Sequence, residues 1–229
     1  MPDSLSVIIP TLNEAAALPA TLARLRPALR PARFSEVIVS DGGSTDGTRG
    51  LARRLGCRVV TGSRGRGRQL NTGAAAARGD HLLFLHADTL VPPDLLRQVC
   101  GSGPSCFRLR FSGQADSPWL RFFSWCSRFS TDAFRYGDQG LFVDAATFHR
   151  LGGYRPDHRL FEDYELVKRL RRAAGRFTVL PAWVETSSRR YREHGVVFTQ
   201  SVFVGLYLLY RLGFGQGALL RLYRRAFSG

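Results

Sequence analysis

The sequence predicts an α/β fold, a mostly parallel central sheet flanked by helices, followed by an apolar helical extension. Three observations carry this. Short apolar runs alternate with helix-period stretches through the first half of the chain. Polar residues gather where those runs end. From Gly195 to Tyr210 no residue carries a charge. The first run, Ser6-Val7-Ile8-Ile9-Pro10, is stopped by proline and reads as a buried strand. Asn13 to Leu25 then shows Leu18, Leu22 and Leu25 at helical spacing, with Asn13 as N-cap. Val37-Ile38-Val39 is a second strand, closed by the polar turn Asp41 to Gly47, and a helix spans about Thr48 to Leu55. Arg58 to Thr61 is a third strand, Gln69 to Ala77 an alanine-rich helix, and His81 to Leu85 a fourth strand ending at His86-Ala87-Asp88. This β-α-β-α order predicts parallel pairing with both faces covered. Further on, Phe107 to Phe111 reads as a strand and the aromatic-rich Pro118 to Arg128 as a helix. Tyr136 to Gly140 is a turn before the apolar Leu141-Phe142-Val143. Glu162 to Arg172 is a helix with acids first and bases last, as the helix dipole favours. The chain divides into a domain over residues 1–190 and an extension over 191–229.

With 229 residues the chain can bury a full core without disulfides or a structural metal. Its composition, 44% hydrophobic and 22% charged, excludes disordered, collagen-like and disulfide-rich secreted classes. The net charge is +15, from 33 basic and 18 acidic residues, and Lys168 is the only lysine. Arginine suits bidentate phosphate binding, so the charge points to a nucleotide, a nucleic acid or an anionic membrane surface as partner; an arginine-rich codon usage gives the same excess. Cys57, Cys100, Cys106 and Cys126 form no C-x-x-C pair and read as inert thiols of a reducing compartment. The start lacks a basic leader and moves straight into a strand, which predicts a cytoplasmic protein.

The acids are few, so their positions are informative. Asp88 ends a strand in a basic protein and is placed to hold a divalent cation. Mg²⁺ favours one or two carboxylates plus substrate phosphates; His86 beside it shifts the preference toward Mn²⁺. A hydrogen-bonded loop pair is the plainer role for His86 and Asp88. Asp41 at the end of the second strand can accept from a base or a ribose, or simply form a turn. Asp46 reads as a helix cap. Gly62 to Arg68 interleaves three glycines and three arginines, Arg64, Arg66 and Arg68, ahead of a helix: a phosphate cradle or a basic surface loop. Glu162-Asp163 is a general-base candidate if one carboxylate faces a pocket and a partner holds the other; otherwise it caps a helix.

Taken in order, Pro10-Thr11-Leu12-Asn13-Glu14, Ser40 to Thr48, His86-Ala87-Asp88 and Glu162-Asp163 resemble the family-2 inverting glycosyltransferases of GT-A fold, over roughly residues 5 to 180. Gly65-Arg66-x-x-Gln69-x-Asn71-x-Gly73 followed by Leu85-His86-Ala87-Asp88-Thr89 resembles a subgroup named for arsenosugar biosynthesis. The resemblance implies transfer of a sugar from a nucleoside-diphosphate-sugar, UDP- or GDP-linked, to an acceptor hydroxyl or phosphate. It implies that Pro10, Thr11 and Glu14 line the nucleoside pocket, that Asp41 reads the base or ribose, and that Arg64 and Arg66 neighbour the diphosphate, with Ala87 beside them. Asp88 matches the last position of the family's D-x-D motif, which holds Mg²⁺ or Mn²⁺ on the diphosphate, and His86 stands in place of its first Asp as a second candidate ligand. Asp163 matches the catalytic base. Asp138, Gln139, Glu162, Arg189 and Arg190 are acceptor-side candidates. Gly42 stands where many relatives carry a second Asp.

The uncharged tail, flanked by Arg189, Arg190, Arg192, Arg211, Arg221, Arg224 and Arg225, spans about 24 Å as a helix, short of a bilayer crossing. It predicts peripheral contact with the inner face of a membrane, packing on the domain, or a homo-oligomer contact. Three other functions compete. A nucleotidyltransferase of the same fold carries a glycine-rich signature with lysine after the first strand, where Thr11-Leu12-Asn13-Glu14 stands instead. A nucleic-acid binder would draw on the +15 charge, yet no binding motif is present, so no nucleic-acid partner is expected. A non-catalytic nucleotide-sugar binder would differ only in turnover.

Overall fold

The computed structural model describes residues 4–113, 117–131 and 137–227. Tyr136, expected in a turn, lies outside the described residues. The elements run β1 (Ser4–Thr11), α1 (Leu18–Leu29), β2 (Phe34–Asp41), α2 (Thr48–Arg54), β3 (Arg58–Thr61), α3 (Arg66–Ala76), β4 (His81–Phe84), β5 (Thr89–Leu90), α4 (Leu95–Val99), β6 (Ser105–Phe111) and α5 (Pro118–Cys126). After a 3-10 turn at Gly137–Gln139 come β7 (Leu141–Asp144), α6 (Ala145–Arg150), α7 (Glu162–Ala174), β8 (Thr178–Thr186), α8 (Arg189–His194), α9 (Val196–Arg211) and α10 (Gln216–Phe227).

Among the described residues these strands form one sheet, in the order β3-β2-β1-β4-β7-β6-β8-β5. β3, β2, β1 and β4 are parallel, as the alternating half predicts. β7 then pairs antiparallel with β4 and β6, and β5 antiparallel with β8, while β6 and β8 are parallel. The sheet is therefore mixed beyond β4.

Side-chain alternation along β1 divides the core. Val7 and Ile9 face one layer with Leu18, Leu22 and Leu25 of α1, Leu95 of α4 and Leu120 of α5. Ile8 faces the other, with Leu70 and Ala74 of α3, Phe148 of α6 and Leu166 and Leu170 of α7. Both faces are covered, which is why the β1 run is apolar throughout. Gly73 lets α3 close onto β1 and β2, since a Cβ there would meet Ile8 and Ser40.

One expectation is corrected. Asn13 does not cap α1, which starts five residues later with Ala17 as N-cap and proline in its first turn. Asn13 instead adopts φ 59, a left-handed conformation that asparagine tolerates, and its Oδ1 accepts from Thr45 N at 2.8 Å. The uncharged stretch is helical as expected, as α9, and the chain continues into α10 after a break at Leu212 to Gly215. Gly213 (φ 87) ends α9, with Phe214 N donating to Leu209 O at 3.1 Å. α9 rests on the domain: Tyr207 and Tyr210 pack against Phe161 and Tyr164 at centroid distances of 5.1–6.0 Å. No helix among the described residues is long and apolar enough to cross a membrane.

Candidate active site

The carboxyl ends of β1, β2 and β4 open on one edge of the sheet, where α/β folds place ligands. Here β2 delivers Asp41, wholly buried. Its Oδ1 accepts from Gly43 N (3.0 Å) and Ser44 N (2.9 Å); its Oδ2 accepts from Thr11 Oγ1 (3.0 Å) and from the Ser44 hydroxyl. Burial opposes ionisation, but these bonds outweigh it and hold the carboxyl below its ordinary value. Expected to read a base or ribose, Asp41 here shapes the loop, and no face of its carboxylate is open to a ligand. Asp46, read as a helix cap, stands one residue before Gly47, the N-cap of α2, and accepts from Thr48 N at 3.0 Å.

The missing side chain at Gly42 has a physical reason. A Cβ there would lie 2.8 Å from Cδ of Gln69. The Gln69 amide uses that space, donating to Thr11 O (2.7 Å) and Ser40 O (3.0 Å) and so joining the ends of β1 and β2. Two residues on, Asn71 donates to Tyr154 O (2.7 Å) and accepts from Tyr154 N (2.9 Å), pinning the loop ahead of α7 to α3. Gln69 and Asn71 belong to the Gly65 to Gly73 motif, and their amides, spaced two apart within α3, are the sequence signal for these roles.

Glu14 lies within electrostatic reach of Asp88 at this edge. Burial pushes the Glu14 carboxyl up, and Asp88 adds to it; Arg189 and His86 offset part of the rise. Burial likewise pushes Asp88 up, followed by Asp138, again partly offset by His86 and Arg189. Asp138 moves the other way: burial opposes, yet pairing with His86 and the charges of Arg66 and Arg190 bring it to about 2. Pro10 is half-buried beside this edge. Ala87 is buried and its carbonyl accepts from Thr21 Oγ1 at 2.6 Å. Arg64 is exposed.

Arg66, the first residue of α3, joins the two halves. Its Nε donates to Glu162 Oε1 at 2.6 Å, its Nη2 pairs with Asp163 Oδ2, and its Nη1 meets His86 Nε2 at 2.7 Å. A guanidinium only donates, so His86 Nε2 accepts and His86 Nδ1 donates to Asp138 Oδ1 at 2.8 Å. Both ring nitrogens are engaged, which corrects the reading of His86 as a metal ligand in this arrangement. A Cβ at Gly137 would meet the Arg66 guanidinium and the Asp163 carboxylate, so a larger residue there would displace the ends of these two side chains. Glu162 and Asp163 differ in access: side-chain exposure is 5% and 17%. Gln139 is buried and donates to Phe107 O and Ser127 O at 3.2 and 3.1 Å. It supports the turn that carries Asp138 and does not face the edge as an acceptor contact. Arg189 lies within electrostatic reach of Glu14 and Asp88. Arg190 lies over the rings of Phe203, Tyr223 and Phe227 at 5.4–5.8 Å.

Sequence reasoning missed Tyr154 and Phe161. Tyr154 is fully buried against Phe84, its hydroxyl pushed up by burial and without a hydrogen-bond partner among the described residues. Phe161, immediately before Glu162, holds φ 62, a costly conformation for an aromatic residue; its ring is held by Tyr207 and Tyr210 of α9. Neither feature has a local sequence signature.

Among the described residues no three His, Cys, Asp or Glu side chains are gathered as a metal site. The donor set nevertheless fits a hard divalent cation. Glu14 and Asp88 are desolvated oxygen donors that repel one another, and such a cation is completed by phosphate oxygens and water.

Residues 6–101 match the model of the family described as Glycosyl transferase family 2. A PGL/p-HBAD biosynthesis glycosyltransferase of Mycobacterium bovis is 30% identical over 181 residues, covering 70% of this chain and 66% of that protein. The chain thus spans less than two thirds of that relative. A mannosyltransferase from Pyrobaculum calidifontis, solved in complex with GDP-Man and Mn²⁺, superposes with a TM-score of 0.67 at 20% identity, covering 97% of this chain and 69% of that one. Glucosyl-3-phosphoglycerate synthase from Mycobacterium tuberculosis, solved with Mn²⁺, UDP and glucosyl-3-phosphoglycerate, superposes with a TM-score of 0.54 at 18% identity, covering 80% and 70%. The fold is that of the GT-A glycosyltransferases, and residues 6–101 carry a glycosyltransferase family 2 domain.

Proposed function

We propose that the chain transfers a sugar, with inversion, from a nucleoside-diphosphate-sugar to an acceptor hydroxyl or phosphate. One observation carries the reading: Asp88 and Glu14, whose ionisation burial disfavours, share a sheet edge with Asp163, the more accessible member of a carboxylate pair whose other member is buried against Arg66. The nucleoside lies along Pro10 to Glu14 and the loop that Asp41 shapes, and the diphosphate lies toward Asp88. Asp88, with Glu14 nearby, would hold Mg²⁺ or Mn²⁺; such a cation, when bound, neutralises charge on the diphosphate.

The acceptor oxygen attacks the anomeric carbon from the face opposite the diphosphate. Asp163 takes the acceptor proton as that bond forms, and the bond from carbon to phosphate oxygen breaks with its electron pair leaving on the diphosphate. Arg66 stands at the same edge and opposes the negative charge that grows there, an interaction strongest in the transition state. Glu162 holds Arg66 and so positions it. Asp138 orients His86, which in turn meets Arg66. Arg189 and Arg190 border the acceptor side. The blocks from Gly65 to Gly73 and Leu85 to Thr89 support the subgroup named for arsenosugar biosynthesis. Residues 1–190 act as the catalytic domain, and 191–229 bring it to the inner face of a membrane.

Calorimetric titration of UDP and GDP, with and without Mn²⁺, tests the donor site. One nucleotide is expected to bind in a metal-dependent way, and Asp88→Ala to abolish that dependence. Equal affinity with and without metal, or no binding of either nucleotide, overturns the assignment.

A further inference from the structure

Among the described residues, exposed aromatic side chains cluster on α5. This helix turns Leu120, Ser124 and Cys126 inward, and Ser124 Oγ donates to Leu109 O of β6 at 2.7 Å. Its other face shows Trp119, Phe122 and Trp125 to solvent, 57%, 50% and 46% exposed, with Phe129 just beyond. Three of these rings form a row: Phe122 to Trp125 at 6.3 Å and Trp125 to Phe129 at 4.7 Å. In residues 117–131 the charges nearest this row are Arg121 and Arg128, and the Arg128 guanidinium lies over Trp125 at 5.6 Å. Water gives such a surface no favourable contact. A headgroup layer does: it takes the ring bodies and meets arginine with anionic phosphates.

A second observation joins this face to the chemistry. A cavity of about 300 Å³ lies between the start of α5 and the α8–α9 junction, lined by Leu120, Tyr191 and Val196 and by Ser117, Ser188 and Arg192. That volume is at the small end of ligand-sized pockets. The helix that walls it, α8, also carries Arg189, within electrostatic reach of Asp88 and Glu14. Val197 and Phe198, 67% and 47% exposed, extend the apolar surface beside the cavity. From Arg189 to Gly229 the chain has seven arginines and one acid, Glu193.

We propose that α5 and the α8–α9 junction form one surface that docks on an anionic bilayer, and that the cavity between them admits the hydrocarbon chain of a membrane lipid. Resting on the transfer reading above, this makes the acceptor a lipid-anchored molecule whose polar head reaches the Asp163 edge. The occupant is lipid and not a protein partner because the apolar rows are bordered by arginine, as a negatively charged surface requires. Insertion falls to α5 as much as to α9, since α9 spends Tyr207 and Tyr210 on Phe161 and Tyr164.

The chain has three tryptophans, and two of them, Trp119 and Trp125, lie on this face, so intrinsic fluorescence reads the contact directly. The full chain is mixed with phosphatidylcholine vesicles and with vesicles containing phosphatidylglycerol. Binding at least tenfold tighter to the anionic vesicles is expected, with a blue shift of emission and quenching by brominated chains. The variant W119S/F122S/W125S is expected to keep its melting temperature and nucleotide affinity and to lose at least tenfold in vesicle binding. Native mass spectrometry of protein released from vesicles is expected to show one retained lipid, absent in Val196→Trp, which fills the cavity while still binding vesicles. Undiminished binding by the α5 variant, or no preference for anionic vesicles, overturns the surface. Equal lipid retention by Val196→Trp overturns the cavity. Nucleotide titration on the same samples keeps the readings apart: vesicle binding without nucleotide binding overturns sugar transfer and leaves the surface standing, and the reverse overturns the surface alone.

Discussion

Asp41 and Asp88 serve the same edge of the sheet, and the protein treats their carboxyls in opposite ways. Asp41 is buried deeper, yet its loop supplies two backbone N–H groups and two hydroxyls, and it stays below its ordinary value. Asp88 has Asp138 for a neighbour and is pushed up by burial first and by that charge second. Asp163 stands between these cases, its charge met by Arg66. Burial alone therefore does not mark a ligand site. A part-buried carboxylate whose ionisation its surroundings disfavour is the better candidate, because a cation there would relieve it.

The largest expected effect breaks the middle case. Asp163→Asn keeps the shape of the side chain and removes the base. Turnover should fall about 10²- to 10⁴-fold while nucleotide affinity, followed by calorimetry, stays the same; near-normal turnover would remove Asp163 from the mechanism.

Next comes Asp41→Ala, which strands the Gly43 and Ser44 N–H groups and the Thr11 hydroxyl. A loss of about 3 kcal/mol is expected, roughly 6–12 °C in melting temperature for a chain of this size. Because its folded value is lowered, Asp41 stabilises fully above the unfolded carboxylate value near 3.8. That contribution disappears as pH falls through the lower folded value. Melting curves of wild type and variant should thus converge in acid, and a gap that widens toward low pH would show that Asp41 is not held as described.

The smallest effect sharpens the contrast. Asp88→Asn removes an ionised group that burial and Asp138 disfavour, so in metal-free buffer the melting temperature should hold or rise. The raised folded value predicts that any gain shrinks as pH falls and wild-type Asp88 takes up its proton. A clear drop at neutral pH would mean that Asp88 is paired like Asp41.

Much of the fold was legible because β1, β2 and β4 are covered on both faces and so read as unbroken apolar runs. β8 escaped because Pro181 interrupts its pattern. The strand absorbs the proline in an irregularity: Cys106 pairs with Val179, but Arg108 already pairs with Trp183. The start of α1 was misread because Asn13 has a capper's side chain and spends it on Thr45 across 32 positions. At the site, Asp41, Asp88 and Glu162-Asp163 stood out as acids at the ends of elements in a basic chain. What holds them did not. The Gln69 amide in the space above Gly42, the Asn71 clasp on Tyr154 and the left-handed Phe161 under α9 are contacts between distant segments, and no local pattern encodes them.

The link from Arg66 to Glu162 spans 96 positions. At about 5–20 residues added per second during synthesis, Arg66 emerges roughly 5–20 s before the acid that balances it. The parallel half of the sheet can be complete while its central cation still faces water unpaired. Electrical balance at this edge is thus completed by the last third of the chain, and an N-terminal fragment ending before α7 would hold Arg66 with His86 and Asp138 but without its two carboxylate partners Glu162 and Asp163.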